Sequence, residues 1–393
     1  MHNQYLLLLI ILNFSKMKII IFTIILISIM LQACVEPFEP DIDKYENILV
    51  IDGLITNNPG PYQVKVTRSY PYNKNHPEMV ENAIIKIIDN RENEYPLNKV
   101  LNKLGTYETD SNFQAQVGTG YKLQVITPDN NIYECDFETI NNPVEIDTIY
   151  YSLQYKFNVE EETNIIGAQL YLDTHDPNNN TRYYAWEYEE TWKFGVRYHW
   201  AGHVDRYYCY RSFKPKELLL GTSDNLINDE IRRFPLTFIG ANTPKLKIKY
   251  SILVKQYSLS QKAYQYFNYL KSVNESGGSL FDKTPTSVYG NMYNINNPNE
   301  PVLGLFQVSG VSKKRIFIEK SDFDEYFYVE SGFGWCKDEY SLIGDSLKTD
   351  SLLKRAFIII DTSFTGDIHF TRDSACFDCT KNGTNIVPDF WED

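Results

Sequence analysis

Basic residues are scarce in this 393-residue chain: 38 Lys and Arg stand against 51 Asp and Glu, and nowhere do the basic ones cluster. Binding along a phosphate backbone needs a concentrated positive surface, so nucleic acid is disfavoured as a partner. Catalytic signatures are missing too. The chain has no His-Glu-x-x-His pair for zinc, no Gly-x-Ser-x-Gly turn for a nucleophilic serine, no P-loop and no Gly-x-Gly-x-x-Gly fingerprint. It therefore offers no residue for a catalytic role, implies no cofactor and reads as a non-enzyme. The alternatives are a surface hydrolase with an unrecognised carboxylate site and a structural envelope protein. Cysteine is sparse, at six. Past residue 31 no apolar run approaches the about 20 residues that cross a hydrocarbon core.

The N-terminus is where apolar residues concentrate. Lys16 and Lys18 precede an uncharged run over residues 19–31, which ends in Gln32-Ala33-Cys34. A basic start, an apolar middle and a small residue before a cut make an export signal. Cys34, directly after Leu31-Gln32-Ala33, resembles the bacterial lipobox cysteine that is diacylated before the signal is removed. Residues 1–33 thus read as a lipoprotein signal peptide. Residues 34–46, with Pro37, Pro40 and several acids, read as a lipidated tether. Cleavage removes Lys16 and Lys18 and no acid, leaving 36 basic against 51 acidic residues. Acyl chains, not surface charge, would then hold the protein to an anionic membrane.

Beyond the tether the chain reads as mostly β. Aromatics make up 15% of the chain, with 30 Tyr and 22 Phe, and such residues favour strands. In residues 47–142, Tyr62, Val64 and Val66 alternate with polar neighbours, as do Tyr121, Leu123 and Val125. Residues 83–88 form a further strand, and turns are expected at Asp52-Gly53, residues 57–60 and residues 128–131. This spacing predicts an Ig-like β-sandwich, with Tyr121 after Gly118-Thr119-Gly120 suiting a tyrosine corner. Asn141-Asn142-Pro143 reads as a linker. Residues 143–393 read as a larger antiparallel β-rich domain carrying one main α-helix near 260–274 and a cysteine-containing C-terminal tail. The helix pattern is Ala263, Tyr266, Phe267 and Leu270 on one stripe, capped by Ser258 or Ser260. Later strands are expected at 302–308, 315–319 and 356–360.

One stretch is unusually regular. Tyr184, Trp186, Tyr188, Trp192, Phe194, Val196, Tyr198 and Trp200 hold even positions, while Glu187, Glu189, Thr191, Lys193, Arg197 and His199 hold odd ones. A period of two means a strand with an aromatic face, which belongs against a core. Trp200, where the strand should end, and Tyr207, Tyr208 and Tyr210, outside the alternation, remain as surface candidates for a glycan or peptide ligand. His199 and His203 would share a face only on a helix, which argues against a metal pair. Asp173, Asp176 and the asparagines after it offer oxygen ligands for calcium, yet the same composition makes a plain hairpin turn. Export favours disulfides among Cys209, Cys336, Cys376 and Cys379, with zinc at the Cys376-Phe377-Asp378-Cys379 spacing as the alternative.

Several blocks together carry a resemblance: the Cys34 lipobox, Leu49-Val50-Ile51-Asp52-Gly53, Arg182-Tyr183-Tyr184-Ala185-Trp186, Cys209-Tyr210, Gln256-Tyr257-Ser258, Gly290-Asn291, Leu303-Gly304-Leu305-Phe306, and Cys376 to Cys379 followed by Pro388-Asp389-Phe390-Trp391. They resemble the Bacteroidota lipoprotein family called domain of unknown function 4249. The resemblance implies a lipid-anchored outer-membrane accessory or binding lipoprotein, open to exposure at the cell surface, that works with a TonB-dependent receptor in nutrient capture. It brings no activity and no catalytic residue.

Overall fold

A computed structural model describes residues 47–70, 76–160, 162–197, 204–276, 290–324, 327–329, 339–342, 358–362, 368–371 and 373–392. The chain opens with short strands: β1 (Leu49–Thr56), β2 (Gln63–Arg68), β3 (Glu78–Met79), β4 (Ile84–Asp89), β5 (Glu94–Lys99), β6 (Thr106–Glu108), β7 (Gly120–Ile126), β8 (Ile132–Cys135) and β9 (Glu138–Thr139). Alternation drives them, since Val64 and Val66 on β2 are buried on either side of exposed Lys65, and Leu123 and Val125 on β7 on either side of the more accessible Gln124. The buried Tyr121 at the start of β7 accepts from the Gln116 N–H through its Oη at 2.8 Å.

Longer strands come next: β10 (Ile146–Asn158), β11 (Thr163–His175), β12 (Tyr183–Gly195), β13 (Tyr208–Phe213), β14 (Leu219–Thr222), β15 (Glu230–Gly240) and β16 (Lys249–Ser258). Helix α1 (Gln261–Ser276) leads into β17 (Met292–Asn294), β18 (Val302–Leu303) and β19 (Phe306–Glu319). Ser260, not Ser258, caps the helix, its Oγ accepting from the Ala263 N–H at 3.2 Å. β20 (Glu339–Leu342), β21 (Ile358–Thr362) and β22 (Ile368–Thr371) form a small sheet of their own. Among the described residues no helix is long and apolar enough to cross a membrane.

The fold is mostly β, dominated by one large sheet that runs β13-β12-β16-β19-β1-β2-β6-β5-β4-β7-β8-β17. Its pairings are antiparallel except where β1 lies parallel to β18 and β19. A second sheet, β10-β11-β15, packs on β12-β16-β19 through Leu170, Leu172, Leu236, Trp186, Trp192 and Val254. A separate core of Leu49, Ile51, Val64, Ile87, Leu123 and Phe306 gathers under β1 to β8.

Two expectations change. Asp52-Gly53 is not a turn but the middle of β1. Glycine is there because a Cβ would stand 2.9 Å from Val64 Cγ2 and 3.3 Å from Phe306 Cδ2, so the strand needs the missing side chain to close on its neighbours. The expected strands 302–308 and 315–319 are in fact β18 and the 14-residue β19. The break falls at Gly304, with φ +92°, where a Cβ would meet the Ile51 carbonyl oxygen at 2.0 Å. β19 runs on through Ser309 and Ser312 because both are buried with hydrogen-bond partners, Gln307 and the Val144 carbonyl.

Candidate functional site

The outward face of the large sheet carries the site. Along β1, Val50, Asp52 and Leu54 point away from the core, opposite Ile51 and Ile55. Register then sets their neighbours: Asp52 lies across from Lys65 on β2, and Leu54 from Gln307 on β19. Further along, Ala185 on β12 faces Tyr257 on β16, and Glu187 faces Lys255. Helix α1 covers part of this face, its Ala263, Tyr264, Tyr266 and Phe267 packing with Tyr257, Leu259, Leu305 and Val311.

Beside the helix three cavities adjoin one another. One of about 590 Å³ lies over β1, β2 and the β5–β6 turn, lined by Asp52, Leu54, Lys65, Met79, Lys103 and Leu104 among others. A central chamber of about 250 Å³ shares Asp52, Gly53 and Leu54 with it and adds Glu187, Tyr257, Phe267 and Gln307. The third, about 460 Å³, shares Leu218 and Phe267 with the chamber and is bounded by Lys216, Glu217, Leu220, Leu270, Lys271 and Asn274. Together they make a groove on the sheet, walled by α1 and the segment before β14.

Asp52 is the unusual charge in it. Asp52 is exposed, yet the neighbouring protein partly desolvates its carboxylate, and this raises its pKa against the opposing pull of Lys65. Asp52 makes no hydrogen bond or ion pair with any described residue. Glu187, by contrast, is engaged: Lys214 Nζ stands 2.8 Å from its Oε2, and the Tyr257 hydroxyl donates to the same oxygen at 3.4 Å. Burial first and then the charge of Asp52 push the Tyr266 phenol up to about 12. Tyr266 and Phe267 stand edge to face, centroids 5.5 Å apart. A carboxylate, aromatic rings and flanking lysines supply ionic and cation–π contacts, the chemistry of recognition.

The residues singled out from sequence fall elsewhere. Cys34, Trp200 and Cys336, with His199 and His203, lie outside the described residues. Tyr207 and Tyr208 stand nearly perpendicular, 86° at 4.5 Å, so they do not present one flat stacking surface. Tyr208 is half exposed, with Lys193 Nζ 5.4 Å above its ring. Tyr210 is corrected as a surface candidate. It is buried, its backbone pairs with Thr384, and its ring meets Trp391 edge-on at 4.9 Å, because the C-terminal segment folds back over β13.

That return is covalently fixed by a Cys209–Cys379 disulfide, and Cys376 is disulfide-bonded as well, which accounts for these cysteines without zinc. Among the described residues no group of three or more His, Cys, Asp or Glu converges as a metal site. In the candidate calcium loop, the Asp176 carboxylate accepts from the N–H groups of Asn178, Asn180 and Thr181, so it makes a turn. Asp52 is a site residue that sequence patterning alone does not single out. The available signal is a lone acid on the outward side of a strand whose outward neighbours, Val50 and Leu54, are apolar.

The family model described as Domain of unknown function (DUF4249) matches residues 35–315, and the chain belongs to that family. No curated protein matches it.

Proposed function

We propose that this protein is a lipid-anchored binding lipoprotein of the outer membrane. Acylated Cys34 tethers it, and it serves as an accessory to a TonB-dependent receptor by holding a nutrient ligand in the groove beside α1. On this reading β1 to β9 act as an Ig-like module that supplies one end of the groove. The observation that carries the proposal is the groove itself: three adjoining cavities around a carboxylate with no hydrogen-bond or ion-pair partner among the described residues. A surface with an unpaired charge in a concave, part-aromatic setting is suited to a ligand that pairs with it.

The test is affinity isolation of the native protein from membranes, alongside a Cys34→Ala variant. Co-purification of a TonB-dependent receptor with the native chain, and recovery of the variant in the soluble fraction, are expected. Native protein that isolates alone, or a variant that stays on the membrane through detergent-free washing, would overturn the accessory and lipid-anchor parts respectively.

A further inference from the structure

The central chamber holds one negative charge, on Asp52, that no described residue pairs with directly. Asp52 sits where the first cavity opens into the chamber, so a ligand entering either reaches it. Glu187 is already tied to Lys214 and Tyr257, so it contributes little free charge. A neutral or anionic group pressed against an unpaired carboxylate would strip its water and return nothing, whereas a cation gains the ionic contact within a chamber that the Phe267 and Tyr257 rings also line. The ends of the groove are net positive: Lys65 and Lys103 line one, and at the other Lys216 and Lys271 outnumber Glu217. A polycation laid along the groove would meet repulsion at both ends.

Resting on the binding reading above, we propose that the occupant presents a single alkylammonium or guanidinium group to Asp52, between flanks that carry no positive charge. Such a group is the side chain of a lysine or arginine within a peptide, or the head of a free amine. The chambers on either side, with Leu54, Leu104, Met79, Leu220 and Leu270, then receive the apolar flanks.

The experiment titrates the full mature chain with acetylated, amidated pentapeptides Leu-Leu-X-Leu-Leu in which X is lysine, arginine, norleucine or glutamate. Pentalysine and n-butylammonium are run alongside. The lysine and arginine peptides are expected to bind about tenfold or more tighter than the norleucine peptide, the scale of one charge-assisted contact. In Asp52→Asn that preference disappears, and pentalysine binds more weakly than the single-lysine peptide. Butylammonium binding as tightly as the lysine peptide assigns the cation to a free amine; weaker binding assigns it to a peptide side chain. A second variant, Leu54→Trp, fills the chamber and is expected to abolish binding of every probe. If all X peptides bind alike and Leu54→Trp still removes them, the groove binds but the charge assignment is wrong. Retention of the lysine preference in Asp52→Asn also overturns it. No binding by any probe, or binding indifferent to Leu54→Trp, overturns the groove reading itself.

Discussion

The Trp186 indole N–H donates to Gln256 Oε1 at 2.7 Å, across the register pair that joins β12 to β16. The other end of the same amide donates to the Val144 carbonyl at 2.8 Å and to Thr174 Oγ1 at 2.9 Å. Gln256 is buried, so each of these bonds satisfies a group that water does not reach. One side chain thereby ties two strands of the large sheet to β11 and to the segment before β10. The aromatic strand is held by a polar bracket as well as by apolar packing.

Gln256→Leu should therefore cost about 2 kcal/mol, chiefly by stranding the Trp186 N–H, because the Val144 carbonyl keeps the Ser312 hydroxyl and the Thr174 hydroxyl keeps the Glu145 carbonyl. Denaturant melts measure this. A double-mutant cycle with Trp186→Phe should show coupling of roughly 0.5–3 kcal/mol, as for residues sharing a buried network. Additive losses would mean that the bracket contributes nothing as a unit.

Trp186 is 0% and Trp192 7% exposed, both facing the second sheet. Truncating either to Ala should cost about 3–5 kcal/mol, the range for emptying a large aromatic site. Trp186→Ala should be the costlier, because it loses the indole bond to Gln256 as well. Unchanged unfolding midpoints for both variants would contradict their core role and return the aromatic strand to ligand binding.

Cysteine arithmetic gives a third expectation. Cys209–Cys379 is bonded, Cys376 is disulfide-bonded, and Cys135 is a buried free thiol whose pKa burial pushes up to about 12. With Cys34 acylated, only Cys336 remains in the chain to partner Cys376. Unfolded but unreduced mature protein should yield one free thiol, at Cys135, which resists alkylation until the fold opens. Peptide mapping that finds two or more additional thiols would defeat this pairing. Removing the Cys209–Cys379 bond, which spans 170 residues, should cost up to about 5 kcal/mol by chain entropy and release the Tyr210 and Trp391 contact.

The strand of alternating aromatics is legible in the sequence because period-two burial depends only on local order. Tyr184, Trp186, Trp192 and Phe194 are buried as their even positions require. Glu190 shares that inward parity and is 2% exposed, which local order does not explain. Its partners are Lys245 Nζ at 2.6 Å and the Tyr250 hydroxyl at 2.8 Å, more than fifty residues away in the chain. The helix, its cap and stripe are legible for the same local reason. The groove is not. It exists because β1 pairs with β19 in parallel, about 250 residues apart, and that pairing turns an apparent Asp-Gly turn into a strand with its acid facing a chamber.

Glu190 yields a fourth prediction. Lys245→Met leaves a buried carboxylate held only by the Tyr250 hydroxyl, and the loss should be about 3 kcal/mol, the low end for breaking a buried pair because Lys245 is partly exposed. Glu190→Gln together with Lys245→Met should recover part of that loss, since neither charge is then stranded. A single-variant loss below about half a kcal/mol, the surface value, would show that the pair is solvated in practice.

The last prediction concerns Asp52, which faces Lys65 across β2 and stands near the Tyr266 phenol. Its folded pKa is raised from 3.8, with desolvation as the larger cause and Lys65 opposing, so the native state holds this proton more tightly than the unfolded chain does. Ionising it therefore costs stability. The cost is absent below the unfolded value, sets in as pH rises through the folded one, and is complete above it. Asp52→Asn should accordingly melt higher than the native protein at neutral pH, and the two should converge in acid, below about pH 4. Because water reaches the carboxylate, the gain should stay under about 1 kcal/mol. A residue kept at a cost to stability is what a binding site does, so a bound ammonium should reverse the order: saturating lysine pentapeptide should stabilise the native chain by about 1.4 kcal/mol more than Asp52→Asn, the equivalent of the tenfold preference. Parallel melting curves for the two proteins from acid to neutral pH would show that Asp52 carries no desolvation cost and has no need of a cation.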